Sequence, residues 1–124
     1  MLLVTTNTET TTHLFWYCPV AQQFWSNWKG WLVTYFPNIA HLSEDQIILG
    51  FSQADFGYNS KNLNLLLIKA KQFIFYTKLG YHPLSLELYK IEIKRIFDIE
   101  NTIANRNGRL YLFLRKWEFA QHLL

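Results

Sequence analysis

The sequence predicts an all-α domain, a small irregular bundle of about four to six helices with a central apolar helix near residues 62–80. Three observations point there. Apolar residues recur three or four apart in three long stretches, start and stop signals bracket those stretches, and two-residue alternation is confined to one short segment. The chain divides into a polar N-terminal segment, 1–12, and a single helical domain, 13–124, which joins an aromatic half, 13–36, to a basic half, 43–124.

Residues 1–12 are polar and threonine-rich after Leu2–Val4, and Thr10 or Thr11 is placed to cap a short turn carrying His13. Pro19 suits the first turn of a helix, where its missing N–H has no partner to lose, and it pushes Cys18 into an extended bend. From there Val20, Phe24, Trp28, Trp31, Leu32 and Tyr35 form a stripe widened by Ala21 and Trp25, with Gln22, Gln23, Ser26, Asn27 and Lys29 opposite. This helix is expected to run to about Phe36, where Pro37 and Asn38 stop it.

Ser43-Glu44-Asp45-Gln46 reads as a capping box opening a short turn that ends at Gly50, and residues 51–61 read as a loop. From Asn62 the apolar residues are too dense for one stripe. Leu63, Leu66, Leu67, Ala70, Phe73 and Ile74 make one face and Leu65, Ile68, Phe75, Tyr76 and Leu79 a second, which predicts a helix with neighbours on both sides. Gly80 ends it, and Pro83 delays the next helix until Ser85.

That helix carries Leu86, Tyr89, Ile93, Ile96, Phe97 and Ile103 inward and Lys90, Lys94 and Arg95 outward, with Lys94 and Asp98 spaced to pair. Leu86–Ile93 also alternates as a strand would, and Asn107-Gly108 is a hairpin signal. Helices are preferred at both. The last stretch, Arg109–Trp117, is expected to form a short helix packing Leu110, Phe113, Leu114 and Trp117.

Of the 124 residues, 50% are apolar and 18% aromatic, enough to bury a core and to exclude general disorder. Lysines interrupt every long apolar run, so no membrane span or membrane partner is expected. The N-terminus lacks the basic region of a secretory signal, and the single cysteine suits a reducing compartment; an intracellular location, nuclear or cytoplasmic, is expected. Charge is divided between the halves. Residues 1–60 carry Lys29 against four acids, a net −3, and residues 61–124 carry eleven Lys and Arg against five acids, a net +6. The second half therefore attracts polyanions, although a solvated helix surface explains the same charges.

The run Glu9-Thr10, His13-Leu14-Phe15-Trp16, Cys18-Pro19, Gln23-Phe24-Trp25 and Trp31-Leu32 resembles the zinc-binding region near the C-terminal end of reverse transcriptases from non-LTR (LINE-type) retrotransposons. More loosely, Ile47–Phe51, the lysine-bearing apolar helix Leu65–Leu79 and the basic tail Arg106–Trp117 resemble the downstream segments of that family. The family pattern is C-x2-C, then about eight residues, then H-x4-C leading into a tryptophan-rich helix. Here His13 and Cys18 match its second half, while Met1 and Val4 stand where the first two cysteines belong.

The resemblance implies that residues 13–36 derive from a zinc knuckle and that His13 and Cys18 are the surviving ligands of a half site. Since structural zinc requires a closed set of four ligands, no cofactor is expected, and His41, His82 and His122 are not spaced to complete the shell. The resemblance also implies proximity to RNA or DNA. Lys69, Lys71, Lys78, Lys94, Arg95, Arg106, Arg109, Arg115 and Lys116 are the candidate phosphate contacts, sequence-independent and salt-sensitive.

No paired-aspartate polymerase motif, H-E-x-x-H, phosphate-binding glycine loop or G-x-S-x-G occurs, and no third group orients His13 and Cys18 as a base and nucleophile. The expected function is a non-catalytic C-terminal fragment with non-specific nucleic-acid binding. The alternatives are a stand-alone helical interaction module, displaying an aromatic patch around Trp16, Trp25 and Trp28, and a retroelement remnant without a selected role.

Overall fold

Helix α1, Pro19–Leu32, has Pro19 in its first turn and comes after a π turn, His13–Tyr17. Cys18 between them is extended, with φ −62° and ψ 126°, the conformation imposed on a residue before proline. The structure, a computed structural model, describes residues 13–119 and 123–124, apart from the side chains of residues 13, 14 and 58. The expected polar segment 1–12, its threonine cap, and His122 lie outside the described residues.

Among the described residues there are six α-helices, the π turn and two 3-10 turns, and no strand. The fold is all-α, as the periodicity predicts. α1 ends four residues short of the expected Phe36, because Phe36, ahead of Pro37, is driven to φ −124° and ψ 79°. A turn closed by Phe36 N–H on the Leu32 carbonyl, 2.8 Å, leads into the 3-10 turn Pro37–His41.

The buried stripe of α1 is Ala21, Phe24, Trp25, Trp28 and Leu32, with Trp31 and Tyr35 half-buried. Val20 lies one step outside that stripe and is exposed, against expectation. The aromatic surface patch required of an interaction module is not formed: Trp25 and Trp28 are 2% and 0% exposed, and Trp16 packs half-buried on the core.

α2, Glu44–Leu49, starts at the expected capping box: Ser43 Oγ accepts from Gln46 N–H at 3.2 Å, and Gln46 Oε1 accepts from Ser43 N–H at 3.0 Å. Gly50 then turns the chain at φ +92°, and a Cβ there would sit 3.1 Å from Asn64 Oδ1, so glycine serves both the turn and the close approach. Residues 51–61 are not a plain loop. Ser52 and Asp55 cap a short helix, α3, Gln53–Phe56, and a 3-10 turn, Gly57–Asn59, runs into α4, Ser60–Lys78. Asn64 fastens the segment by accepting from Phe51 N–H at 2.7 Å and donating to Phe51 C=O at 2.9 Å.

α4 buries Leu63, Leu66, Leu67, Ala70, Phe73 and Ile74, the first of the two faces read from the sequence. The second face is only partly covered: Ile68, Tyr76 and Leu79 are exposed, while Leu65 and Phe75 are half-buried against the core. High apolar density therefore did not require two-sided burial. α5, Leu86–Arg106, opens on Ser85, whose Oγ accepts from Leu88 N–H at 3.3 Å; the strand alternative over Leu86–Ile93 is not adopted. Tyr89 and Ile93 are buried, Leu86, Ile96 and Phe97 pack partly buried, and Ile103 is exposed.

Asn107-Gly108 joins two helices, not two strands, and α6, Leu110–Lys116, comes next. Phe113 and Trp117 are buried with ring centroids 5.0 and 5.5 Å from Phe97, whereas Leu110 and Leu114, expected inward, are exposed. One polar chain ties the three principal helices together. Trp28 Nε1 on α1 donates to Tyr89 Oη on α5 at 3.2 Å, and Tyr89 Oη donates to the Leu66 carbonyl on α4 at 2.7 Å. Burial raises the pKa of the Tyr89 phenol, and the Trp28 hydrogen bond offsets only part of the rise, so Tyr89 stays a donor at neutral pH. No helix among the described residues is long and apolar enough to cross a membrane.

Candidate nucleic-acid interface

Between α4 and α6 lies a groove of about 710 Å³, lined by Leu65, Ile68 and Leu112 and by the cations Lys61, Arg115 and Lys116, with no acidic side chain on its wall. Lys61, Leu65 and Ile68 share one face of α4 by helical spacing, and Leu112, Arg115 and Lys116 do the same on α6. A second hollow, about 290 Å³, shares Leu112 and Lys116 with the groove and adds Arg109, Ile103 and Glu100. Lys61, Arg115, Lys116 and Arg109 thus form one basic rim reaching from the start of α4 to the α5–α6 turn.

Within this rim the cations differ. Lys116 Nζ is 2.8 Å from Glu100 Oε1, which also accepts from Trp117 Nε1 at 3.0 Å. Partial burial raises the Glu100 pKa, but the hydrogen bonds from Lys116 and Trp117 outweigh it and the net shift is downward, so this carboxylate is ionised at neutral pH. Lys61, Arg109 and Arg115 have exposed side chains without an ion pair among the described residues, as does Arg106 outside the rim.

The other candidates lie elsewhere. Lys94 pairs with Asp98 at 2.6 Å, as its spacing predicts, and Arg95 pairs with Glu92, both on the exposed side of α5. Lys71 is half-buried, with Nζ 3.4 Å from the Ile48 carbonyl, and desolvation lowers its pKa; it links α4 to α2. Lys69 Nζ lies 3.4 Å from Gln72 Oε1, and its charge helps to keep Glu92 and Glu100 ionised. Lys78, in the last turn of α4, is exposed. The fold therefore gathers Arg109, Arg115 and Lys116 and disperses the other six.

Lys61 and Tyr111 were not among the sequence candidates. Lys61 precedes the predicted helix start, but its i,i+4 relation to Leu65 on the second apolar face was a usable signal. Tyr111 is 70% exposed, one turn ahead of Arg115 on α6, and offers a ring on which a base can stack beside a phosphate-binding cation.

For the half metal site, Cys18 is buried in the core at the entry of α1, and the side chain of His13 lies outside the described residues. Among the described residues no three His, Cys, Asp or Glu side chains converge, and the positions of Met1 and Val4 are not described. A structural zinc site needs four ligands, and among the described residues no such set is gathered. Comparison of the chain with protein-family models, curated proteins and solved structures finds no match.

Proposed function

We propose that the chain binds nucleic acid without sequence specificity through the basic rim of the α4–α6 groove, as a non-catalytic module akin to the C-terminal tail of a LINE-type reverse transcriptase. The observation that carries this reading is the grouping of Lys61 and Arg115 with Lys116 around an apolar floor with no acidic side chain in the main groove, continued by Arg109 at the adjoining hollow that Glu100 also lines. Cations so placed displace condensed counterions from a phosphate backbone, which makes affinity fall with salt, while Leu65, Ile68 and Leu112 accept sugar and base surfaces. The likeness of residues 9–32 to the family pattern supports the ancestry, and the +6 balance of residues 61–124 supports a polyanionic partner.

Fluorescence anisotropy with a labelled RNA or DNA oligonucleotide, titrated across salt concentrations, tests this. The Lys61→Glu, Arg109→Glu, Arg115→Glu variant is expected to flatten the log-affinity against log-salt slope by about 2 units, at roughly 0.7 per single-strand phosphate contact. Charge reversal at Lys94, already paired with Asp98, is expected to change it far less. Flat binding across salt in the parent chain, or an unchanged slope in the triple variant, removes the proposal.

A further inference from the structure

Three rings, one on α1, one on α4 and one in the turn after α4, stack together. Phe24 of α1 stacks on Phe73 of α4 with centroids 6.1 Å apart and planes 22° apart, and Phe73 stacks on His82 at 4.0 Å and 24°. Exposure rises along the stack, from Phe24 at 3% and Phe73 at 8% to a half-buried His82. His82 is fixed: its Nδ1 lies 3.0 Å from Thr77 Oγ1 and 3.0 Å from the Pro83 carbonyl. A hollow of about 330 Å³ between α4 and α5 opens alongside Phe73 and His82, with Tyr76, Gln72, Lys69 and Glu92 also in its wall.

A flat ring entering this hollow meets the His82 imidazole and the Phe73 edge, beside groups able to read its own edge. Glu92 is held ionised chiefly by its hydrogen bonds from Arg95, so its carboxylate presents acceptors only. Lys69 supplies donors, and the Gln72 amide supplies either kind. An acceptor-only carboxylate favours an exocyclic amine and opposes a carbonyl oxygen in the same place, the relation by which acidic side chains select cytosine.

We propose that this hollow is a binding pocket for a single unpaired nucleobase bearing an exocyclic amine, with His82 as its stacking platform and Glu92 as its edge reader. The ligand class is then single-stranded nucleic acid, because a base held in a duplex has neither face free. Ile68 of the α4–α6 groove and Lys69 of the pocket are consecutive residues of α4, so both sites lie along the same helix. The proposal rests on the nucleic-acid reading and narrows it.

Cytidine and uridine, which differ at one ring position by amine against carbonyl, are the probes, titrated into isotope-labelled full-length chain by NMR. Cytidine is expected to shift the signals of Gln72, Tyr76 and His82, with uridine several-fold weaker. The Glu92→Gln variant is expected to erase the difference, since an amide serves both edges. His82→Ala is expected to weaken cytidine by about fivefold to a hundredfold, the effect of deleting one stacking partner. In parallel, oligo(dC), oligo(dT) and a duplex are compared by anisotropy, with oligo(dC) expected to bind tightest.

Absent shifts at α4 and α5, or equal response to the two nucleosides, overturn the pocket; if salt-dependent oligonucleotide binding persists, the basic-rim reading survives. Nucleoside shifts without salt-dependent oligonucleotide binding keep the pocket and overturn the rim.

Discussion

Helix α1 buries five of its 14 residues, whereas α5, half as long again, buries two of 21. Length did not decide which helix organises the fold; indoles and their hydrogen bonds did. On α1 Trp25 and Trp28 meet edge-to-face at 5.2 Å, and their N–H groups donate to the Phe15 carbonyl and the Tyr89 hydroxyl, so large apolar surfaces are buried without stranded donors. α5 is held at its first half by Tyr89 and Ile93 and further along by Phe97 against α6. Its outer side is sustained by the local pairs Lys90–Glu87, Arg95–Glu92 and Lys94–Asp98, which support a helix but do not dock it. The contrast separates an anchored hub from a lightly packed arm whose later turns line the second hollow with Glu100 and Ile103.

The largest effect expected to break this contrast is Trp28→Ala, at about 3–5 kcal/mol, because it opens the centre of the core and removes the donor to Tyr89. Chemical denaturation read by far-UV circular dichroism measures it, and a cooperative transition at an unchanged midpoint would contradict the hub. Tyr89→Phe keeps the ring but leaves Trp28 Nε1 without its acceptor, and is expected to cost about 1–3 kcal/mol in the same assay.

Ser85→Ala removes the α5 cap and is expected to cost about 1 kcal/mol, with the loss seen first as faster amide exchange in the first turn of α5. Acid is expected to loosen the other end. The native pKa of Glu100 lies below its ordinary 4.5, so its contribution is complete above that value and is lost as pH falls through the native pKa, freeing Lys116 and Trp117. The indole N–H resonance of Trp117, followed by NMR in the isotope-labelled chain, reports the change, and Glu100→Gln is expected to abolish its pH dependence. The smallest effect is at Ile103→Ala, on the exposed end of α5, expected within about 0.5 kcal/mol of the parent.

The helices that bury one clear stripe were legible as periodicity. Phe24, Trp28 and Leu32 on α1, Leu63, Leu66, Leu67 and Ala70 on α4, and Tyr89 and Ile93 on α5 are where the spacing put them. The box at Ser43 and Gln46 was legible because capping is a four-residue property. What failed needed tertiary information. Ile68, Tyr76 and Ile103 are exposed on apolar faces that neighbours only partly cover, and no local pattern states how many neighbours a helix will have. The short α3 was hidden because four residues carry too few apolar positions to show a period.

The candidate interface was legible only as a charge imbalance. Whether a cation is committed depends on partners such as Glu100, 16 residues from Lys116, and on the approach of α6 to α4. Lys94 and Arg95, at the centre of the sequence-based choice, are paired within their own helix, while Lys61 gained its place from a groove formed with residues some fifty positions away. The column of Phe24, Phe73 and His82 could not be anticipated, since its members come from three separate segments.

Native-state amide hydrogen exchange along the full chain compares the hub with the arm most directly. If α1 is the anchor, the amides around Trp25 and Trp28 exchange only through global unfolding, with a strong dependence on denaturant. The last two turns of α5, Ile99–Arg106, then exchange by local opening that denaturant scarcely alters. Equal protection in the two places, or faster exchange in α1 than at the end of α5, would contradict the account.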